Sequence, residues 1–305
     1  VSFATSLMVS GRYQRKPPLP FVPGTEAAGI VAELGPDVTG FKLGDRVACV
    51  LDWGGLGEET MANEVNTFAL PDSLEFNRAI CFTNSYGTSA AALTWPHLLN
   101  VQRGETLLVH GGAGGVGIAA IEIGKILGAK VIATAGSEEK LAIAKQHGAD
   151  HVINYREGPF RDGVLEITQG RGANAIYDPV GGEVFEQSLR CIAPEGRIMP
   201  VGFAGGTIQQ IPANLLLVKN ISVCGLNMGY YYGWSPDDVR HEQGPRMQAL
   251  LAQLFVWYEA GYLNPRVSHT FALDDFQDAM AVVLGRLSQG RVAVVMDGEA
   301  KRLGK

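Results

Sequence analysis

Cysteine is scarce in this chain and charge is never concentrated. Four cysteines occur in 305 residues, Cys49, Cys81, Cys191 and Cys224, all far apart. That spacing implies neither a zinc knuckle nor a disulfide framework, and it is compatible with a reducing cytoplasm, where the protein is expected to reside. Each cysteine reads as a buried small hydrophobe rather than a nucleophile. The formal net charge is -6 and no polybasic stretch occurs, so the chain carries no electrostatic footprint for nucleic acid or a membrane surface. No apolar run is long enough to span a bilayer, and no signal peptide is recognisable. The six histidines, at 97, 110, 147, 151, 241 and 269, form no compact ligand motif. A zinc site needs three protein ligands and an open position, so no metal is expected.

Glycine is abundant, at 39 residues, and its placement is informative. The run from Thr106 to Gly117 is an apolar strand that breaks into glycines and then opens a helix, Ile118 to Leu127. Gly112, Gly114 and Gly117 fill the G-x-G-x-x-G template, with Ala113, Gly115 and Val116 between them. One glycine lets the strand turn tightly, one lets backbone approach a pyrophosphate, and one lets helix pack on strand. The helix N-terminus then favours the anion. A dinucleotide is therefore expected.

The second strand, Lys130 to Thr134, ends in Ala135-Gly136-Ser137, where an NAD site would place a carboxylate for the ribose 2′-hydroxyl. Lys140 follows in the next helix, and Tyr155 and Arg156 follow the third strand, His151 to Asn154. These donors suit a 2′-phosphate, which favours NADPH. Glu138 and Glu139 count against this, but in a first helical turn they read as partners of the helix dipole.

At this length, with 46% hydrophobic residues, two packed cores are expected. The first part is rich in glycine, proline and short β-branched runs, such as Ala28 to Leu34 and Arg46 to Leu51, and reads as β-rich. From Tyr86 strands alternate with helices: helices at Glu138 to Gln146, Arg161 to Thr168 and Glu183 to Cys191, and strands at Ala173 to Asp178, Arg197 to Val201 and Ile221 to Cys224. That is the pattern of an α/β fold with a doubly wound parallel sheet. A long helix at Arg246 to Ala260, a helix at Asp274 to Gly285 and a strand at Arg291 to Met296 break the alternation. The expected division is a β-rich unit over 1–85, a Rossmann domain over 86–228, and a return segment over 229–305 that completes the first unit.

Several motifs then recur in a familiar order: Gly24-Thr25-Glu26-Ala27-Ala28-Gly29, Gly44-Asp45-Arg46-Val47, Tyr86-Gly87-Thr88-Ser89, the glycine loop, Ile153-Asn154-Tyr155, Asp178-Pro179-Val180-Gly181-Gly182 and Val201-Gly202-Phe203-Ala204-Gly205-Gly206. Across essentially its whole length the chain resembles the zinc-free quinone oxidoreductase branch of the medium-chain dehydrogenase/reductase superfamily, which includes zeta-crystallin-like proteins. The resemblance implies that the β-rich unit is GroES-like and that the protein is an NADPH-dependent reductase. Thr25 stands where zinc alcohol dehydrogenases of the superfamily have a histidine ligand. Without a Lewis acid nothing would stabilise an alkoxide, whereas an electrophilic quinone or enone needs mainly a well-placed C4 of NADPH.

The resemblance places Tyr13, Ser2, Thr88 and Ser89 at the substrate cleft and Phe203, Ala204 and Gly205 near the nicotinamide. It places Ser137 at the cofactor and Lys140, Tyr155 and Arg286 near the adenosine 2′-phosphate, with a second reading of Arg286 as a solvated residue at the end of the helix Asp274 to Gly285. Tyr13 has two open readings, a proton or hydrogen-bond donor to the acceptor oxygen and a rim aromatic that only packs. Ser2 stands where relatives carry asparagine. Tyr230-Tyr231-Tyr232-Gly233-Trp234 could roof the cleft or form a packed loop. The strand Ile221 to Cys224, at a sheet edge, would pair with its copy in a homodimer. Val1 falls inside a motif that in relatives lies after the opening strands, so either a segment has been lost or the sequence is truncated; a loss of those strands would expose sheet edges and alter association or the cleft. Two other functions stay open: an enoyl-thioester reductase, and a non-catalytic NADPH-binding protein of the zeta-crystallin kind.

Overall fold

The computed structural model describes residues 1–296. Helix α1 (Phe3–Val9) starts at Ser2, whose hydroxyl accepts from the Thr5 amide at 3.3 Å while the Thr5 hydroxyl accepts from the Ser2 amide. This reciprocal cap stabilises a helix only two turns long. Strands β1 (Glu26–Ile30), β2 (Arg46–Val50) and β3 (Thr67–Ala69) form an antiparallel sheet in that order, with Ala28 opposite Ala48 and Val47 opposite Ala69. β1 is an edge strand, and a groove of about 1560 Å³ is lined by it along its whole length. Helix α2 (Phe76–Cys81) runs on into a largely buried π-helical turn, Phe82–Tyr86.

Helix α3 (Gly87–Thr94) leads into six parallel strands: β4 (Thr106–Val109), β5 (Lys130–Ala135), β6 (His151–Asn154), β7 (Ala173–Asp178), β8 (Ile192–Pro200) and β9 (Ser222–Val223). Between them lie helices α4 (Gly115–Ile126), α5 (Glu138–Gln146), α6 (Phe160–Ile167), α7 (Glu183–Cys191) and α8 (Ala213–Lys219). The strand order is β6-β5-β4-β7-β8-β9. Leu107, Leu108, Val109, Val131, Ile132, Ala133, Ala175, Ile176 and Tyr177 are fully buried, so both faces of the central strands are covered. Winding reverses between β4 and β7, and the carboxyl ends of those two strands mark the crevice where such sheets bind ligands.

The chain continues through α9 (Met228–Tyr231), α10 (Arg240–Glu259), β10 (Val267–Ala272), α11 (Phe276–Leu284) and β11 (Arg291–Val295), with β10 and β11 paired in parallel. Residues divide into two compact units: Val1–Gly87 with Asn227–Gly261 and Pro265 onward, and Thr88–Leu226 with Tyr262–Asn264. In the first, Arg291 of β11 and Glu26 of β1 make a buried ion pair. α10 begins six residues earlier than periodicity predicts and carries Pro245 inside it. Proline ordinarily marks a boundary. Here Gly244 packs so closely that a Cβ would lie 2.2 Å from Val65, and tertiary packing holds the first turn in place.

Candidate functional site

The glycine loop sits at the carboxyl end of β4. The His110 amide bonds to Tyr177 O and the Gly112 amide to Thr134 O, both at 3.0 Å, so the backbone leaves the sheet anchored to both neighbouring strands. A Cβ on Gly117 would lie 2.2 Å from Gly111 O, and one on Gly112 would lie 2.9 Å from Ala133 Cβ. These two positions accept no side chain without backbone movement. Gly114 is different, since its Cβ would meet only Gly111 O at 3.3 Å. It is the N-cap of α4 and has no side chain to cap the helix. The first i→i−4 bond is Ile118 N–H to Gly114 O, so the amides of Gly115, Val116 and Gly117 precede the helical ladder. The loop has the shape and polarity of a pyrophosphate cradle.

At the end of β5, Ser137 caps α5 by accepting from the Lys140 amide at 3.4 Å. A Cβ on Gly136 would lie 2.6 Å from the Tyr155 hydroxyl, so the Tyr155 side chain lies directly against this turn. Gly136, Ser137, Lys140 and Tyr155 are thus brought together. Glu138 Oε1 accepts from Asn154 Nδ2 at 3.4 Å, and both Glu138 and Glu139 lie in the first turn of α5.

The loops after β7 and β8 are joined to each other. Ala204 N–H bonds to Pro179 O at 3.1 Å, Gly205 N–H to Val180 O at 2.8 Å and Val201 N–H to Asp178 O at 2.7 Å. Phe203 is 39% exposed on this ledge.

The substrate-cleft residues fare unevenly. Ser89, expected to face an acceptor, is fully buried: its hydroxyl donates to Val116 O at 3.0 Å and lies 2.8 Å from the Tyr177 hydroxyl. It therefore braces the first turn of α4 instead. Thr88 is also buried. The Ser2 hydroxyl caps α1. Tyr13, half-buried on the loop after α1, has its phenol pushed above the usual range by desolvation and stays protonated at neutral pH. Arg286 follows α11 in the left-handed conformation, φ 57°. Tyr232 packs as part of a loop: it is buried, its hydroxyl donates to Thr83 O at 3.0 Å, and its carbonyl accepts from Asn66 Nδ2. Thr25 is buried, and among the described residues no three His, Cys, Asp or Glu side chains are placed to hold a metal ion. Burial pushes the thiols of Cys49, Cys81 and Cys191 up to about 12, so none is a nucleophile.

Sequence reasoning gave no role to three buried polar groups, His110, Asp178 and Gln209. Asp178 had a usable signal, since an aspartate before Pro-Val-Gly-Gly is a turn-forming pattern.

Residues 4–92 match the family model of the alcohol dehydrogenase GroES-like domain, and residues 115–241 match that of the zinc-binding dehydrogenase. Over 297 residues the chain is 41% identical to a quinone oxidoreductase-like protein 2 homolog of Nematostella vectensis, covering 96% of this chain and 78% of that one. A quinone oxidoreductase of Pseudomonas syringae has the same fold with a TM-score of 0.86 and 31% identity, over 97% of this chain and 88% of that one. An Escherichia coli quinone oxidoreductase complexed with NADPH matches with a TM-score of 0.85 and 29% identity, over the same shares of 97% and 88%.

Proposed function

The chain belongs to the zinc-free quinone oxidoreductase branch of the medium-chain dehydrogenase/reductase superfamily, and on that premise we propose that it transfers hydride from NADPH to a quinone or an α,β-unsaturated carbonyl without a metal. The observation that carries the cofactor reading is the cradle: two glycines that exclude any Cβ, and a third, Gly114, whose Cβ direction is nearly open. The amides of Gly115, Val116 and Gly117 hold the pyrophosphate. Lys140, with Ser137 and Tyr155 beside it, receives the adenosine 2′-phosphate. Bound NADPH supplies the hydride from C4 of its dihydronicotinamide. Phe203, Ala204 and Gly205 flank that ring, and Tyr13, protonated at neutral pH, donates to the acceptor oxygen.

Steady-state assays with NADPH against quinones, enones and enoyl thioesters test this reading. Turnover of quinones or enones is expected. Turnover of thioesters alone would make the protein an enoyl-thioester reductase, and tight NADPH binding with no turnover would make it a non-catalytic binder. In the same assay Lys140→Ala should raise the KM for NADPH about tenfold, the worth of one charge-assisted contact, and leave that for NADH unchanged. Equal effects on both coenzymes would remove Lys140 from the phosphate site.

We also place the partner surface at the β9 edge. Leu217 and Val218 on α8 are 78% and 71% exposed, and Ile208 is 70% exposed nearby in sequence. An apolar patch beside an open strand edge suits an isologous homodimer. Leu217→Asp with Val218→Asp should convert a dimer to a monomer in sedimentation; an unchanged mass would move the interface elsewhere. Four free thiols fit the cytoplasm, and among the described residues no helix is long and apolar enough to cross a membrane.

A further inference from the structure

We propose that Asp178 and Gln209 are positioning residues that fix the turn after β7 as the seat of the nicotinamide end of the cofactor, an inference that rests on the NADPH reading above. Asp178, the last residue of β7, is fully buried. Its Oδ1 accepts from the amides of Val180 at 2.8 Å and Gly181 at 3.0 Å. The next amide, Gly182, donates to Oε1 of Gln209 at 3.3 Å, and Gln209 is itself 9% exposed. Three consecutive amides are thus held by two side chains that lie 31 residues apart in sequence.

The two adjacent strands at the switch point therefore end in glycine turns of opposite character. After β4 the amides of Gly115 to Gly117 open a helix with no capping side chain. After β7 the amides of Val180, Gly181 and Gly182, the turn itself, are turned inward onto Asp178 and Gln209. A sheet of this kind binds one mononucleotide with each half, and the strands beyond the switch point belong to the second half. A turn with its donors taken receives an uncharged ring rather than a phosphate. The turns are also in contact: a Cβ on Gly111 would lie 3.5 Å from Pro179 Cγ and 4.0 Å from Val180 Cγ2. A shift of the turn after β7 therefore moves a wall beside the cradle.

The turn is tightly determined. Gly181 and Gly182 have φ of 75° and 58°, and a Cβ on Gly181 would lie 3.0 Å from Gln209 Oε1 and 3.1 Å from Phe203 Cδ1. Asp178 Oδ2 meanwhile is buried and, among the described residues, has no hydrogen-bond partner. A buried carboxylate oxygen without a partner is a cost that calls for an explanation in the role of its residue.

The test separates the two ends of the cofactor by calorimetry with NADPH and with 2′-phospho-ADP-ribose, which lacks the nicotinamide, together with the emission of bound NADPH. For Asp178→Ala, NADPH affinity should fall about tenfold and the emission change on binding should be lost, while 2′-phospho-ADP-ribose affinity stays within about twofold. Asp178→Asn, which keeps the Oδ1 acceptor, should restore most of the difference. Gln209→Ala should show the same split at about threefold, and it carries the test alone if Asp178→Ala does not fold. Equal weakening of both ligands, or no weakening of either, would overturn the proposal. If the parent protein binds neither ligand, the cofactor reading itself fails and this inference with it.

Discussion

Gly117→Ala should abolish measurable NADPH binding, a loss of at least about a hundredfold, and lower the Tm by roughly 5–10 °C. The new Cβ would sit 2.2 Å from Gly111 O, 2.9 Å from Gly111 C and 3.0 Å from Gly112 Cα, all backbone atoms that no rotamer change can move. Either α4 lifts from the turn or the turn unfolds toward the crevice, and both displace the amides that would face the pyrophosphate. Overpacking of this kind costs about 1–3 kcal/mol, and more when backbone must shift. Gly114→Ala makes the contrast. Its Cβ meets only Gly111 O at 3.3 Å, and its φ of −78° and ψ of 164° suit any residue. The fold should be spared, with stability within about 0.5 kcal/mol of the parent, while a methyl at the phosphate approach lowers NADPH affinity about tenfold. Thermal melts and calorimetry on both variants check the pair. Undiminished NADPH affinity in Gly114→Ala would mean that this glycine does not face the phosphate.

Local signals were strong where one segment's chemistry decided its own structure. β7, α5, β6 and α7 run over the residues that periodicity predicts, because an apolar run such as β7 on a doubly covered sheet needs no distant partner to be read. The glycine loop was legible for the same reason, as a motif closed within a dozen residues. β10 was not: its six residues include no fully buried side chain, and its pairing with β11 spans the intervening helix. α1 hid among serine and threonine, whose caps compete with other local structure. In the site, Ser89 meets Tyr177 across 88 positions and Asp178 shares a turn with Gln209. No local pattern encodes such contacts, so Ser89 read as a cleft residue when its hydroxyl faces the sheet. Of the three consecutive tyrosines Tyr232 alone is buried in the core, and nothing in their run distinguishes it.

Acidification from about pH 6.5 to about pH 4 should remove up to roughly 3 kcal/mol of stability through a single side chain, His110. The residue is 1% exposed, and burial pushes its pKa down from 6.5 to about 4. Its tautomer follows from its neighbours. Ser188 Oγ donates to Val184 O at 2.7 Å, so at 2.8 Å it can only accept from His110 Nε2–H, and Nδ1 accepts from the Thr134 hydroxyl at 2.9 Å. The ring also packs edge-on against Phe160, with centroids 4.7 Å apart. A proton on Nδ1 would force the Thr134 hydroxyl to turn and would place a cation where the desolvation cost outweighs the attraction of Asp178. Above pH 6.5 the imidazole is neutral in both folded and unfolded states, and stability does not depend on its titration. Between 6.5 and 4 the unfolded chain binds the proton and the folded one does not, so stability falls as pH falls. Below about 4 both are protonated and the dependence ends. His110→Leu isolates the effect. At pH 7 it should be less stable than the parent by about 1–3 kcal/mol, having left Thr134 without its acceptor. Denaturant titrations at pH 7, 6, 5 and 4 should show that gap closing, because the variant has nothing to protonate there. A gap that stays constant across the series would mean that His110 takes up its proton equally in both states. Because the folded chain keeps His110 neutral down to about pH 4, the closing gap reports on protonation of the unfolded chain, and NADPH binding by the folded parent should weaken only as the pH falls through about 4.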